Sequence, residues 1–290
     1  MAGLNLSTRV AVGHARVVRE VRAAGPLMAA LRAPVTARAP WLTTVLNQLA
    51  AGRPARPFGL RPVAVVVEPH LEGRPEAVAF LVLRRSGVVT DVSLLGDGTA
   101  PVPGGRPSAR LLARDETTAG LLAAGIVHLL AGLRGPWTLR LAGLPMGDPT
   151  SGHLADLQPT SLLANVRSLR LVDELDSVGD VHRSRDPRAL ECWLPALLAG
   201  APDARTRHFL RAAARLHAAI DELEVAVVAD GDRLRAGLLT LVDGPDRWPW
   251  WGVSETGGLR EEMGAPLVGL TVPARGWPPV PSLSRRTAGR

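Results

Sequence analysis

The order of predicted elements occurs twice along this chain, and this repetition constrains the fold more than any other feature of the sequence. Each half begins with two helical segments: 15–24 with 41–50, and 187–198 with 204–220. Three apolar runs of strand length follow in each half: 63–67, 77–83 and 88–95, then 224–228, 234–241 and 248–253. Short turns between such runs predict an antiparallel meander. The sequence therefore predicts an α/β protein of the α+β kind, in which two lobes each hold a mostly antiparallel sheet flanked by helices.

The first predicted lobe continues past its meander, whereas the second lobe is incomplete. After a loop at 99–108 that is rich in Pro and Gly, the pattern predicts a long helix at 115–133, a strand at 137–141, a short helix and a further strand. The predicted units are a basic helical N-terminal arm and linker at 1–60, a first lobe at 61–180, a partial second lobe at 181–272 and an irregular tail at 273–290.

The positive charge of the chain is concentrated at its start. All 34 basic residues are Arg, and because Lys and Tyr are absent the sequence pI is as high as 11.2. Residues 1–60 hold eight Arg and one acid, so the formal excess of +7 lies there and the rest of the chain is balanced. We expect this segment to make peripheral contact with an anionic membrane or with a partner. The abundance of Ala, Gly, Arg and Pro is typical of GC-rich, actinobacterial coding.

Several function classes lack their sequence motif here. Cys192 is the single cysteine, which excludes an intrachain disulfide, and we expect it to be a buried structural thiol. The seven His show no metal-ligand spacing, so no metal is expected, and neither a P-loop nor a Gly-x-Ser-x-Gly elbow is present. The longest uncharged stretch, 117–133, is short for a membrane span, and no secretory leader is evident. The expected location is cytoplasmic.

The element order of residues 63–172, with three strands, a loop, a helix, a strand, a helix and a strand, resembles the GNAT acyltransferase fold. With the partial copy behind it, the chain resembles the tandem GNAT arrangement of Fem-type peptidyltransferases and of acetyltransferase-like proteins linked to cellulose biosynthesis. The residues that carry the resemblance are Trp41, the closing Leu94-Leu95-Gly96, the strand 137–145 and, in the second copy, 230–237. The resemblance implies transfer of an acyl or aminoacyl group to an amine or hydroxyl.

The same resemblance implies an acyl-CoA donor, whose pyrophosphate is held by backbone amides of a Gly-containing loop that opens a helix. The candidate cofactor-binding residues are Gly104, Gly105, Arg106 and Arg110, in a stretch whose glycine spacing departs from the family pattern and which contains three Pro. Glu68, Asp91 and Asp97 flank the first meander, where the resemblance places a general base. The sequence assigns the catalytic role to none of them.

Two further patterns suggest contacts with a substrate. Arg207, Arg211 and Arg215 recur at every fourth position of one predicted helix, where they either bind phosphates or form a solvated face paired with Asp203 and Glu222. Trp248, Trp250 and Trp251 form the densest aromatic cluster, and alternation in a strand puts one side toward the core and the other toward a pocket. The candidate substrate-binding residues are therefore Trp250, Trp251, Arg207 and Arg211.

Two alternatives to a transferase remain open from the sequence. The first is a GNAT-derived protein that has lost catalysis and acts as a binding or scaffold module, with 1–60 as its docking element. The second is a nucleic-acid-binding protein, which the scarcity of aromatic residues disfavours. The loop at 99–110 distinguishes the first alternative from an enzyme, since free amides there favour CoA binding and a filled loop favours the binding module. The acceptor, whether small molecule or protein, and the oligomeric state are not specified.

Overall fold

The structure, a computed structural model, describes residues 6–51, 59–69, 74–98 and 101–273. Within them lie seven α-helices: α1 (His14–Ala23), α2 (Gly25–Ala30), α3 (Ala39–Ala51), α4 (Glu116–Ala131), α5 (Pro149–Leu157), α6 (Pro187–Leu197) and α7 (Ala204–Ala219). The strands of the first half are β1 (Leu6–Val12), β2 (Arg61–Pro69), β3 (Ala77–Ser86), β4 (Val89–Leu94), β5 (Leu112–Ala113) and β6 (Trp137–Leu144). The remaining strands are β7 (Leu162–Val166), β8 (Leu169–Asp173), β9 (His182–Ser184), β10 (Leu223–Asp230), β11 (Arg233–Asp243), β12 (Asp246–Ser254), β13 (Leu259–Met263) and β14 (Leu267–Val272).

The first sheet contains the predicted meander β2-β3-β4 and extends it on both sides. Its strand order is β1-β2-β3-β4-β6-β14-β7, with β5 attached to β3. The meander is antiparallel as the sequence predicts, and β4 with β6 is the one parallel pair among the described strands. The mixed α/β fold class with a mostly antiparallel sheet and flanking helices is confirmed.

The second sheet has four antiparallel strands in the order β9-β10-β11-β12. The sequence β9, α6, α7, β10, β11, β12 repeats the sequence β1, α1, α3, β2, β3, β4, apart from the short additional helix α2. In both copies the first strand pairs with the first strand of the meander. A separate two-stranded ribbon, β8 with β13, packs against β12. The duplication that the sequence pattern predicts is therefore present at the level of topology.

One apolar core joins the two copies. Helices α1, α2, α3, α6 and α7 contribute to it from between the two sheets, and the facing sides of both sheets complete it. Trp41 on α3 meets Phe209 on α7 and Trp250 on β12, with ring centroids 5.3 Å apart in both pairs. Helices α4 and α5 cover the opposite face of the first sheet and form a second core. Burial of large aromatic rings across the joint makes each lobe depend on the other.

The predicted helical arm at 1–60 differs from the structure, because residues 6–51 belong to the first sheet and the shared core. Strand β1 pairs with β2 from Leu6 opposite Pro69 to Val12 opposite Val63. The charge of this strand is neutralised within the fold, since Arg9 donates to Glu20 at 2.7 Å and also pairs with Glu68. Most of the predicted linker, 52–58, lies outside the described residues.

The predicted limit of the second lobe at residue 272 also differs from the structure. Strand β14, at Leu267–Val272, lies between β6 and β7 and pairs antiparallel with both of them. The chain therefore leaves the first sheet after β7, forms the second lobe, and returns to complete the first sheet. The predicted tail at 273–290 lies outside the described residues from 274 onward. No described helix combines the length and hydropathy that crossing a bilayer requires.

Candidate functional site

A cleft opens where the parallel strands β4 and β6 part. Their pairing ends at Ser93 opposite Arg140, yet β6 continues to Leu144 while β4 stops at Leu94. Beyond β4 the chain turns at Gly96, whose φ of 101° lies in the left-handed region that favours glycine. The turn directs the chain away from β6 and leaves a cleft of about 270 Å³ between the two strand ends.

The walls of the cleft are mostly apolar. Trp41 and Leu42 on α3 form one side, at the edge of the shared core in which both side chains are buried. The remaining apolar residues come from the sheet and the loop beside it: Phe80, Leu94, Leu95, Val102, Ala109, Leu112, Ala142, Val166 and Leu267. Such a lining with a few polar groups at the edge is typical of a small-molecule site.

Polar groups occur at the rim of the cleft, and Asp97 is the only carboxylate among the lining residues. Surrounding groups desolvate its charged form and raise its pKa above the ordinary 3.8, while the Gly98 N–H and the nearby Arg84 and Arg140 act in the opposite direction. The residue as a whole is exposed, so solvent screens part of this desolvation. No described basic side chain forms an ion pair with Asp97 within 4.0 Å. A carboxylate with a raised pKa at the mouth of an apolar cleft is suited to accept a proton.

Glu68 and Asp91, the other two candidate carboxylates, have partners elsewhere. Glu68 pairs with Arg9 at the edge of the first sheet. Asp91 accepts a hydrogen bond of 2.5 Å from the Thr138 hydroxyl, across the parallel pair. Of the three, the structure brings only Asp97 to the cleft.

The loop at 101–110 forms a wall of the cleft and is anchored to both lobes. The Trp250 indole N–H donates to the Pro101 carbonyl at 2.9 Å, and the Thr36 hydroxyl donates to the Ser108 carbonyl. The Ala109 N–H donates to the Gly143 carbonyl of β6 at 3.3 Å. The loop is therefore held in place by backbone and side-chain contacts on opposite sides.

The predicted cofactor-binding residues help to hold this loop in place. A Cβ on Gly104 would overlap the Leu169 carbonyl oxygen, and a Cβ on Gly105 would overlap Arg170, so both glycines permit close packing on the ribbon. Arg106 pairs with Asp246 at 2.9 Å, and Arg110 donates to the Leu31 carbonyl at 2.9 Å. The structure brings Arg110 to the cleft and leaves the two glycines and Arg106 outside it.

The N-terminus of α4, which follows this loop, does not fit a pyrophosphate. The Asp115 carboxylate already accepts from the Thr118 N–H at 2.8 Å, in a reciprocal capping arrangement with the Thr118 side chain. Glu116 adds a second negative charge in the first turn. A phosphate at this position would meet two carboxylates in place of free N–H groups.

A second cavity, of about 190 Å³, lies on the other side of the loop between the ribbon and β12. Trp248 forms one wall, and the Arg106 guanidinium lies 5.2 Å from its ring centroid. The other two arginines that line it are also paired, Arg170 with Glu262 and Arg247 with Glu224. Because these charges are paired within the protein, the cavity is less suited to an anion than its arginines suggest.

The candidate substrate-binding residues lie outside the cleft. Trp250 is 5% exposed in the shared core, and the Trp251 indole N–H donates to the Leu197 carbonyl at 2.9 Å. Arg207 and Arg211 are exposed on α7, where Arg207 donates to the Leu198 carbonyl. Their neighbour Arg215 pairs with Glu191, whereas Asp203 caps α7 and Glu222 contacts His217, so the partners predicted from the sequence differ. Cys192, expected to be buried, is exposed on α6.

No group of three or more His, Cys, Asp or Glu with metal-binding geometry occurs in the described part of the chain. Sequence reasoning missed most of the cleft, since Phe80, Ala142, Val166 and Leu267 come together only through the strand order of the first sheet. The signal that was available is the Leu94-Leu95-Gly96-Asp97 run at the end of a strand.

The sequence matches no protein-family profile and no curated protein. Among solved structures, it is similar to a conserved protein of unknown function from Enterococcus faecalis, a probable N-acyltransferase, with 9% identity, 91% of this chain and 72% of that chain covered, and a TM-score of 0.32. A GCN5-related N-acetyltransferase from Sphaerobacter thermophilus gives 14% identity, 92% and 95% coverage, and a TM-score of 0.31. A tandem GNAT protein from the clavulanic acid biosynthesis pathway gives 12% identity, 92% and 98% coverage, and a TM-score of 0.34.

Proposed function

We propose that this protein is a GNAT-like acyltransferase of the tandem kind, and that its reaction takes place in the cleft between β4 and β6. The observation that carries the proposal is the parting of these parallel strands, which places an apolar cleft directly beside the Asp97 carboxylate. The resemblance of the element order to GNAT proteins, including those of Fem type, supports the same reaction class.

The proposed reaction transfers an acyl group from a thioester to an amine. The amine nitrogen attacks the thioester carbonyl carbon, a C–N bond forms, and the C–S bond breaks as the electron pair leaves with the thiolate. Asp97 takes the proton that the attacking amine loses. Its raised pKa makes it a stronger base than an ordinary aspartate.

The apolar walls hold the acyl chain during this step. Val102 and Val166, which are 42% and 47% exposed, present surface that a hydrocarbon chain covers, and removal of this surface from water stabilises the complex. The fixed loop at 101–110 closes one side of the cleft and limits the access of water. We further propose a cytoplasmic location, which suits the exposed single thiol of Cys192.

The experiment that tests the proposal follows release of free thiol from short-chain acyl thioesters in the presence of a panel of amines, with mass spectrometry of the acylated product. We expect thiol release that depends on the amine and a loss of about 10²- to 10⁴-fold in turnover for Asp97→Asn. The absence of amine-dependent thiol release from the wild-type protein with every amine and thioester in the panel would contradict the proposal.

The second candidate function is a binding module without catalysis. The anchored loop favours it, because the polar side chains of Arg106 and Arg110 already have partners in the protein. In that case a thioester or an amine raises the melting temperature by binding to the native state, yet releases no thiol, and Asp97→Asn retains binding.

A further inference from the structure

We infer that the cleft recognises its acyl donor through the acyl group and a short thioester arm, and that the nucleotide part of a donor such as acyl-CoA gains no contact with this protein. The inference rests on the proposed function and specifies the substrate class of the same site. Three independent features of the described residues carry it: the start of α4, the basic residues around it, and the glycines of the loop.

The start of α4 is closed by its own side chains. The Asp115 carboxylate accepts from the Thr118 N–H at 2.8 Å, and the Thr118 hydroxyl accepts from the Asp115 N–H at 3.1 Å. These bonds to the charged form hold the pKa of Asp115 below its ordinary value, so the carboxylate stays ionised at neutral pH. The Thr118 N–H, one of the groups that a phosphate would use, is therefore already satisfied by a negative charge.

Glu116 makes the same helix end more negative. Its carboxylate lies 2.7 Å from the imidazole of His153 on α5 and remains 73% exposed. A diphosphate that approached α4 along the helix axis would therefore meet two carboxylates with one imidazole beside them. The negative charges of these two carboxylates and of the diphosphate repel each other, which opposes binding.

The last three arginines before this helix in the sequence are engaged within the protein. Arg106 pairs with Asp246 and lies over the Trp248 ring, and Arg110 donates to the Leu31 carbonyl. Arg114 pairs with Glu76. A phosphate would have to displace a carboxylate, a carbonyl or an aromatic ring from each guanidinium to gain its charge.

The loop glycines are explained by packing. Gly104 and Gly105 lie against Leu169 and Arg170, and the Gly105 carbonyl accepts from the Ala265 N–H at 2.8 Å. A Cβ on Gly264 would overlap the Gly105 Cα, so the approach of the two segments requires glycine on both sides. On the side that faces Arg170 of the β8–β13 ribbon and the segment before β14, the Gly105 backbone is packed too closely to admit a phosphate.

In the described part of the second lobe, the meander is also not followed by a helix N-terminus that could bind the phosphates. Among the described residues, β12 is followed by β13 and β14 with no intervening helix, so the end of its meander lacks a helix N-terminus that faces it. Neither copy of the fold therefore presents the anion site that its topology would otherwise supply.

The test compares matched ligands by isothermal titration calorimetry on the full-length protein. The probes are hexanoyl-CoA, S-hexanoyl-pantetheine and 3′,5′-ADP, each at 50 and 200 mM NaCl. We expect the two thioesters to bind with Kd values within about threefold of each other, with equal salt dependence, and no binding of 3′,5′-ADP. Hexanoyl-CoA that binds at least tenfold more tightly and is displaced by 3′,5′-ADP would overturn the inference and leave the proposed function standing.

Variants separate the two proposals further. Ala142→Trp places a large side chain at an exposed position of the cleft wall, and we expect it to weaken both thioesters by the same factor. Glu116→Gln serves as the matched control at the helix end, and we expect it to change neither Kd by more than about twofold. A preferential loss of hexanoyl-CoA affinity with Glu116→Gln would show that the nucleotide part contacts this helix end and would overturn the inference. Failure of both thioesters to bind the wild-type protein would overturn the proposed function together with it.

Discussion

Apart from the additional helix α2, the two lobes begin alike, with a strand, two helices and a three-stranded meander, but among the described residues only the first has a cleft between diverging strands. In the first lobe, β4 has the parallel neighbour β6, and the two strands part beyond Ser93 and Arg140. In the second lobe, β12 has β11 on one side, and no other described strand extends its sheet. A meander whose last strand lacks a parallel partner has no split between strand ends. The cleft therefore depends on the parallel pair β4 and β6, and the meander that both lobes share is not sufficient to form it.

The carboxylate that follows the meander also differs between the two lobes. After β4, Asp97 lies at the cleft and has no ion pair within 4.0 Å among the described residues. After β12, the first carboxylate is Glu255, which is held by Arg233 at 2.7 Å and by Arg235 at 3.7 Å. Asp97 is available for proton transfer, and Glu255 stabilises a turn on the surface.

The largest expected effect is a difference in turnover between variants of these two carboxylates. Asp97→Asn removes the proposed base and is expected to lower turnover by about 10²- to 10⁴-fold, while the matched Glu255→Gln leaves it within about twofold. The wild-type rate is expected to rise with pH as Asp97 deprotonates, with a midpoint above the ordinary 3.8 because its pKa is raised. Thiol-release rates from pH 4 to 8 measure both. Equal losses in the two variants would remove the functional difference between the lobes.

The shared core predicts that the lobes unfold together. Trp41→Ala removes a ring that is 1% exposed and contacts both Phe209 and Trp250, so we expect a loss of about 3–5 kcal/mol in the free energy of unfolding. Urea unfolding followed by tryptophan fluorescence and by far-UV circular dichroism measures the loss. The two signals are expected to change in one transition.

The control for this variant lies in the core that only the first lobe uses. Leu122 on α4 is fully buried in a core that contains no residue of the second sheet, and we expect Leu122→Ala to cost about 2–5 kcal/mol within the same single transition. Two separated transitions in either variant, one for each sheet, would show that the lobes are independent.

Helix caps give a smaller effect that both lobes share. Asp115 caps α4 and Asp203 caps α7, each by accepting from a backbone N–H three residues ahead. We expect Asp115→Ala to lose about 1 kcal/mol, and Asp203→Ala to lose stability in the same direction. Thermal melts at neutral pH measure the losses. A larger loss for one cap alone would indicate that the two helices differ in their importance to folding.

The pH dependence of these caps has a defined sign. Hydrogen bonds from Thr118 and Thr206 lower the pKa of Asp115 and of Asp203 below the ordinary 3.8. A carboxylate whose folded-state pKa is depressed stabilises the native state above its unfolded pKa, and this contribution is lost as the pH falls through the folded value. The difference in melting temperature between wild type and either alanine variant is therefore expected to shrink below about pH 4. A constant difference down to pH 2.5 would contradict it.

The smallest effect concerns the basic stripe on α7. We expect the double variant Arg207→Gln, Arg211→Gln to bind the thioester within about twofold of wild type, because both residues lie on the surface of the second lobe away from the cleft. Fluorescence anisotropy with a labelled single-stranded RNA at 50 mM salt tests the nucleic-acid alternative. If the wild-type protein binds RNA and the double variant does not, the result would favour the nucleic-acid alternative, with α7 as its binding surface.

Much of the fold could be predicted from the sequence because its information is local. The Val-rich runs became β2, β3 and β4, and the Asp-Glu-Thr start became the capped helix α4. Strand β1 was missed because its charged residue, Arg9, is compensated by Glu20 and Glu68 from distant positions. Strand β14 was missed as a member of the first sheet, since its partners β6 and β7 are more than a hundred residues away in the chain.

The site was less predictable because its residues come together only through contacts between distant parts of the chain. Asp97 stood out as one of three acids near a strand end, but its selection required knowledge of where β4 and β6 part. Gly104 and Gly105 suggested an anion loop, because a glycine that permits close backbone packing has the same sequence signature as one that admits a phosphate. Only the positions of Leu169 and Gly264 distinguish the two.

The late return of β14 to the first sheet has a consequence for synthesis on the ribosome. When β7 emerges, its future neighbour has not yet been translated, and Leu162, Leu163 and Val166 stay exposed even in the finished fold. About a hundred further residues must be added before β14 inserts between β6 and β7, so one edge of β6 and the whole of β7 stay unpaired throughout that interval. A ribosome that stalls within the second lobe would therefore release a chain prone to aggregation, and the cell's chaperones would meet this protein before its sheet is closed.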